Sequence, residues 1–313
     1  MFDWIFGANW DSSILNVKWF SLTYFIILLL MASTIVLLYF LFRKKSKKSI
    51  MTLLWCLYFV ALANKILNLV FWFTPLSANY QNVTSPDGVV KFANYLLLDS
   101  SSTHFNVARW IYGAFPWSLC GLNIYFIPIY LKSKKPFWKQ FGFSTLMLGA
   151  FFGIILSVNF AWPNPWIFFD YYYNHFVFFA IPLLMVLLGV FKPKYRLVGS
   201  SFVLLLSLLV GVFILSMIFN WTLNPEYLSL NENTWYFNSV WTVKGDTIPF
   251  NFIYNLIPIP LLYMALFLPI IFIFWFLIIL PFDKIEEIKY LPKDFISFFS
   301  RKKEINNNQD NES

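Results

Sequence analysis

The stretch WFSLTYFIILLLMASTIVLLYFLFRKKSKK, residues 19–48, sets the fold: its first 24 residues are uncharged and apolar, and five of its last six are basic. An uninterrupted apolar run of that length crosses the ~30 Å hydrocarbon layer of a bilayer, which needs ~20 helical residues. Arg43, Lys44, Lys45, Lys47 and Lys48 then act as a stop-transfer cluster. No basic region precedes the run, which is also too long for the apolar part of a cleavable signal peptide, so it is expected to stay in the chain.

Six further apolar stretches follow, giving seven in all: 19–42, 51–73, 111–131, 141–162, 166–191, 200–219 and 252–282. Hydrophobic residues make up 59% of the 313 and aromatic residues 22%, with charged residues only 12%. The mean hydropathy is +0.64. One water-surrounded core cannot bury that much apolar surface, so lipid is the solvent and the expected fold is all-α and polytopic. Cys56 and Cys120 both lie inside apolar stretches, which excludes a disulfide scaffold.

The net charge of +8 does not point to nucleic acid, because the charges are segregated by loop. Eighteen of the 23 basic residues follow the first, third, fifth and seventh stretches, from Arg43–Lys48, Lys132–Lys139, Lys192–Arg196 and Lys284–Lys303. Lys18, Lys91, Arg109 and Lys244 fall on the opposite side, and Lys65 lies within the second stretch. The positive-inside rule then places the amino terminus outside and the carboxyl terminus in the cytoplasm, after seven crossings. Residues 1–282 read as one seven-helix membrane domain with external loops at 74–110 and 220–251. Residues 283–313 form a basic cytoplasmic tail that alternates apolar and basic residues, the pattern of an interfacial helix on an anionic leaflet. The expected location is the plasma membrane, and the Phe-, Ile-, Lys- and Asn-rich composition resembles that of a low-GC bacterium.

Polar side chains inside a span need a partner, a cavity or a function. At ~1.5 Å per residue, Asn64, Lys65 and Asn68 fall in the outer half of the second span, with the two asparagines on one face. Cys120 lies near mid-depth of the third span and Asn123 one turn deeper. Asn159 and Trp162 end the fourth span, and Asp170, Asn174 and His175 open the fifth. Asn220, Asn224, Tyr254 and Asn255 complete the set. Together they predict a polar cavity opening toward the outer leaflet. Lys65 either snorkels to the headgroups or pairs with Asp170. Cys56 has no polar companion in its helix and reads as packing, whereas Cys120 follows Pro116 and Ser118, where a broken backbone ladder frees carbonyls to line a cavity.

Pro116-Trp117-Ser118-Leu119-Cys120, Ile127-Pro128-Ile129, Asn174-His175, then Asn220, Asn224 and Tyr227, and finally the run from Ile257 to Tyr263, resemble the YwaF-like integral membrane family over residues 111–282. That family is similar to a eukaryotic cysteine-dependent acyltransferase that remodels ether phospholipids. It is related more distantly to androgen-inducible membrane hydrolases, which split lipid esters with a threonine and a histidine. The resemblance implies a lipid-processing fold with Cys120 as nucleophile and His175 as its partner. Two departures stand out: Ser118 occupies the place of a histidine found in bacterial members, and the loop after Tyr227 is longer.

Acyl transfer needs an activated nucleophile, a proton acceptor that later donates, and donors for the oxyanion. Cys120 and His175 supply the first two, and Asn123 or Asn68 the third. Asn64, Ser118 and Asn174 line the cavity. Asp170 lies off the face of His175, since five residues turn a helix by about 140°. Lys65 and Arg109 are candidates to hold a lipid phosphate. The expected partners are phospholipid and lysophospholipid, with anionic inner-leaflet lipids at the basic tail. No cofactor and no metal is expected, because the chain has neither a His-Glu-x-x-His pattern nor paired cysteines. The other reading is a non-enzymatic carrier or binding subunit for a lipid-like or small solute, since Asn-rich, Pro-broken helices also build solute sites.

Overall fold

The computed structural model describes residues 17, 21–73, 119–156, 165–222, 267–284, 292–293 and 296. Among them every regular element is helical, and seven α-helices are present: α1 Leu22–Phe42, α2 Lys47–Phe73, α3 Leu119–Lys132, α4 Pro136–Leu156, α5 Pro165–Leu187, α6 Val198–Thr222 and α7 Phe267–Ile279. Each falls largely within one of the seven apolar stretches. Among the described residues three segments are long and apolar enough to cross a membrane: Leu22–Phe42, Lys47–Leu67 and Tyr195–Val212.

The helix ends follow local chemistry rather than the limits of apolarity. Ser21 caps α1, its hydroxyl accepting from the Tyr24 N–H at 3.2 Å. Ser46 caps α2 in the same way through the Ser49 N–H, so α2 starts among the lysines, four residues before the apolar stretch. Pro136 opens α4 five residues early, its fixed φ and missing N–H suiting the first turn. Helix α5 stops at Leu187 because Gly189, at φ 72°, takes the left-handed turn that folds the Val190 and Phe191 N–H groups back onto the Met185 carbonyl.

Helix α1 buries only Ile35 and leaves Leu22, Phe25, Leu29, Leu30, Val36, Leu37 and Phe40 exposed along its length. So continuous an apolar surface is incompatible with water, whereas lipid tails solvate it. The protein is therefore membrane-embedded.

The helices form two compact units. The first contains α1, α2, Cys120–Ile124 of α3, α4 from Gly149 and α5 as far as Leu184. Helix α2 turns a stripe of Ile50, Leu54, Tyr58, Ala61 and Asn64 inward at three- and four-residue spacing. Next to that stripe, the Tyr173 hydroxyl of α5 donates to the Leu57 carbonyl at 3.4 Å. Val17 and Tyr172 form a buried cluster covered by Tyr24, Ile27, Met31 and Phe168.

The second unit contains Tyr125–Leu148 and the chain from Met185 onward. Its polar tie is Gln140, fully buried, which accepts from the Lys194 N–H at 2.9 Å and donates to Ser144 at 3.3 Å. Beside it the Tyr195 N–H donates to the Asp283 carboxylate at 2.9 Å and the Tyr195 hydroxyl to the Phe276 carbonyl at 3.3 Å. Phe143 meets Phe191 and Phe282, and Phe202 meets Phe272 and Trp275, so the core here is mostly aromatic edges.

Candidate functional site

The site lies in the first unit and is organised by two glycines. Gly149 and Gly153 stand four residues apart on α4, so both face the same side, ~6 Å apart along the axis. A Cβ at Gly149 would lie 3.3 Å from Cys120 Sγ and 3.5 Å from Asn123 Nδ2. One at Gly153 would clash with Cδ2 and Nε2 of the His175 ring. The face of α4 is thus cut back twice: one recess takes Cys120 and Asn123, and the next takes the imidazole. This is the close approach that a G-x-x-x-G pattern permits between membrane helices.

His175 is 5% exposed. Its Nδ1 lies 2.7 Å from the Tyr171 carbonyl, one turn back along α5. A carbonyl only accepts, so Nδ1 carries the proton, and in the neutral ring Nε2, the atom against Gly153, holds the lone pair. The ring lies against Tyr171, the two planes tilted by 34° with centroids 4.1 Å apart, and is edged by Phe178 at 5.8 Å. The Tyr171 hydroxyl donates to the Gly153 carbonyl at 2.7 Å, so one residue fixes the imidazole through its backbone, its ring and the helix opposite.

Cys120 sits in the first turn of α3, half-buried, with its thiol donating to the Gly149 carbonyl at 3.6 Å. Cys120 and His175 therefore face one glycine stripe a turn apart and bond to different carbonyls. Asn123, one turn beyond Cys120, is buried beside the same glycine.

Asp170 accepts from Asn174 Nδ2 at 2.9 Å, so the carboxylate orients this amide while the Tyr171 carbonyl orients the imidazole. Asn64 is buried on the inward stripe of α2, and its Nδ2 has no partner among the described residues. Lys65 is half-buried. Cys56 is exposed beside Phe59 and Val60; it faces the lipid side of α2 and does not pack within the core. The side chains of Asn68 and Asn220, and the whole of Ser118, Arg109, His104, Asn159, Trp162, Asn224, Tyr254 and Asn255, lie outside the described residues.

Gly149 and Gly153 were not among the residues that the polar pattern selected for the cavity, whereas Tyr171 was, with Asn174 and Asp170, a candidate to orient His175. The pattern Gly149-Ala150-Phe151-Phe152-Gly153 was the signal available for the first two. As built, the site offers a thiol, a nitrogen lone pair on a fixed ring, and buried amides.

No curated protein and no solved structure matches the chain. The model of the TMEM164 family matches residues 16–280, a span that takes in all the site residues and all seven helices, so the chain belongs to the TMEM164 family.

Proposed function

We propose that the protein is a membrane lipid acyltransferase, or a lipid hydrolase when water is the acceptor, with Cys120 as nucleophile and His175 as base. The observation that supports it most is the pair of recesses on α4, which set a thiol and an imidazole lone pair against adjacent glycines. In the reaction, the Cys120 thiol turns from the Gly149 carbonyl to His175 Nε2 and gives up its proton there. The thiolate attacks the ester carbonyl of a phospholipid, and the Asn123 amide, beside the same glycine as Cys120, donates to the oxyanion. Collapse breaks the ester bond, and the departing lysolipid oxygen takes the proton from Nε2. The thioester on Cys120 is then attacked by the hydroxyl of a second lysolipid or by water, whose proton passes to Nε2 and returns to the sulfur as the thiolate leaves. The Nδ1–H to Tyr171 hydrogen bond favours the imidazolium formed between these transfers.

The topology that goes with this reading has seven crossings, the amino terminus outside and a basic tail on the anionic inner leaflet of a bacterial plasma membrane. Lys65 and Arg109 would bind the phosphate of the lipid, and the likeness of residues 116–120 to YwaF-like members supports grouping the chain with them.

A second reading, a carrier or binding subunit for a lipid-like or small solute, draws on the thiol's bond to the Gly149 carbonyl, since a cysteine so engaged also serves as packing. The test follows a labelled acyl chain from a phospholipid to a lysophospholipid in liposomes, with the intact protein, Cys120→Ala and His175→Ala. Transfer lost in both variants, with a hydroxylamine-sensitive adduct on Cys120, is expected. Equal transfer by all three proteins, or none with diacyl and ether donors alike, overturns the enzyme reading in favour of the solute site.

A further inference from the structure

The packing of the second unit gathers cations from two turns that are distant in sequence. Lys132, Lys134 and Lys135 end α3 and lead into α4, Lys192 and Arg196 lie in the turn from α5 to α6, and all five are exposed. The first two turns of α4 hold these segments together. Gln140 accepts from the Lys194 N–H at 2.9 Å, and Phe143 meets Phe191, the residue before Lys192, at 6.4 Å. Tyr130, two residues before Lys132, meets Phe141 edge-on at 6.1 Å. Among the described residues of this unit Asp283 is the one carboxylate, and it already accepts from the Tyr195 N–H at 2.9 Å. We infer that this end of the unit is a binding surface for the headgroup of an anionic phospholipid, separate from the Cys120 site and from the basic tail.

Charge decides which headgroup fits. A phosphate meets several cations there, whereas the ammonium of a zwitterionic headgroup meets like charge and a carboxylate that is already in use. The neighbouring apolar side chains make the phosphate that of a lipid. Ile129, Leu187 and Leu280 are exposed three to five residues before Lys132, Lys192 and Asp283, so each segment carries bare apolar surface next to its charge. Phe137 and Trp138, half-buried and edge-on to each other, directly follow Lys135 and Pro136, as aromatic residues do at headgroup level. Acyl chains cover that apolar surface while the phosphate sits among the cations; a soluble anion would use only the second. The loop Arg43–Lys48 differs, because its five cations lie in one short exposed segment and owe nothing to tertiary packing. The surface in the second unit depends on the bond from Gln140 to the Lys194 main chain, so it can be weakened without removing a charge.

The test gives the full-length protein in detergent equal amounts of phosphatidylglycerol and phosphatidylcholine with the same acyl chains, and counts the bound lipids by native mass spectrometry. Phosphatidylglycerol is expected to be retained at least about tenfold over phosphatidylcholine, since one cation near anionic headgroups is worth about fivefold. Lys135→Gln with Lys192→Gln should remove most of that preference, and changing all five cations to Gln should abolish it. Gln140→Leu, which keeps every charge and frees the Lys194 N–H, should reduce it several-fold. Two controls separate a built surface from general attraction to an anionic leaflet: neutralising Lys44, Lys45, Lys47 and Lys48, or Lys293, Arg301, Lys302 and Lys303 in the tail, should leave the preference intact. No preference in the intact protein overturns the inference. So does a preference that falls equally whichever cluster is neutralised, or one that only the tail variant removes. Full preference in a folded Gln140→Leu protein also overturns it, because the turns then need not be held together. No arm involves acyl transfer, so failure of the Cys120 reading leaves the result unchanged.

Discussion

Replacing Gly153 by alanine should disable the site out of proportion to the size of a methyl group. The new Cβ would clash with Cδ2 and Nε2 of His175 and come within 3.1 Å of its Cγ. Carbon atoms settle at ~3.5–4 Å, so the ring or α4 must move by more than ~1 Å. The ring cannot simply swing away, because Nδ1 is tied to Tyr171 at 2.7 Å and the ring packs against that same residue's ring at 4.1 Å. Overpacking of this kind costs ~1–3 kcal/mol, and loss of the Nδ1 bond adds ~0.5–1.5 kcal/mol, partly offset by ~1 kcal/mol of alanine's better helix propensity. A displacement of about 1 Å in a catalytic group costs on the order of a hundredfold in rate. Gly149→Ala is the internal comparison: its Cβ meets Cys120 Sγ at 3.3 Å and Asn123 Nδ2 at 3.5 Å, contacts that small rotations relieve. Stability of the two variants would be compared by unfolding in one detergent and function by the labelled acyl-transfer assay. The expected result is a destabilised Gly153→Ala with transfer down by roughly two orders of magnitude, and a near-neutral Gly149→Ala. A Gly153→Ala protein as stable and as active as Gly149→Ala would refute the placement of His175 against α4.

Tyr171→Phe keeps the stack on His175 and removes only the hydroxyl's bond to the Gly153 carbonyl, so a loss of ~1 kcal/mol in stability and less than a tenfold loss of transfer are expected in the same two assays. In the second unit, Gln140→Leu leaves the Lys194 N–H without its acceptor and should lower stability by ~1–3 kcal/mol, while lipid binding at the Cys120 site, measured with Cys120→Ala, stays unchanged. Asp283→Ala removes the acceptor of the Tyr195 N–H and should destabilise more than Asp283→Asn, which keeps a carbonyl oxygen there; equal midpoints in thermal unfolding would count against the bond.

How much of this could be read from the chain varies from element to element. The apolar stretches and the basic clusters between them are local properties, set by the free energy of placing each side chain in lipid or water, and each stretch carries a helix in the structure. Helix ends were less legible, because Ser46, Pro136 and Gly189 act through caps and backbone geometry that hydropathy does not register. Cys120 and His175 came from motif likeness, and Asn123, Asn64 and Asn174 from their depth in apolar runs; all five are buried or half-buried in the first unit.

By itself the sequence determined the solvent of this protein and, among the described residues, which segments are helical. Only the tertiary structure decided which faces meet. In water a helix announces its buried side by a polar stripe opposite, but helices such as α1 and α6 are apolar all round because lipid covers whatever protein does not. Rotation about the helix axis is therefore silent in the pattern. It is the close approach at Gly149 and Gly153 that seats Cys120 and His175 on one side of α4, the Tyr171 carbonyl that fixes the imidazole, and the Asp170 carboxylate that fixes the amide of Asn174 instead.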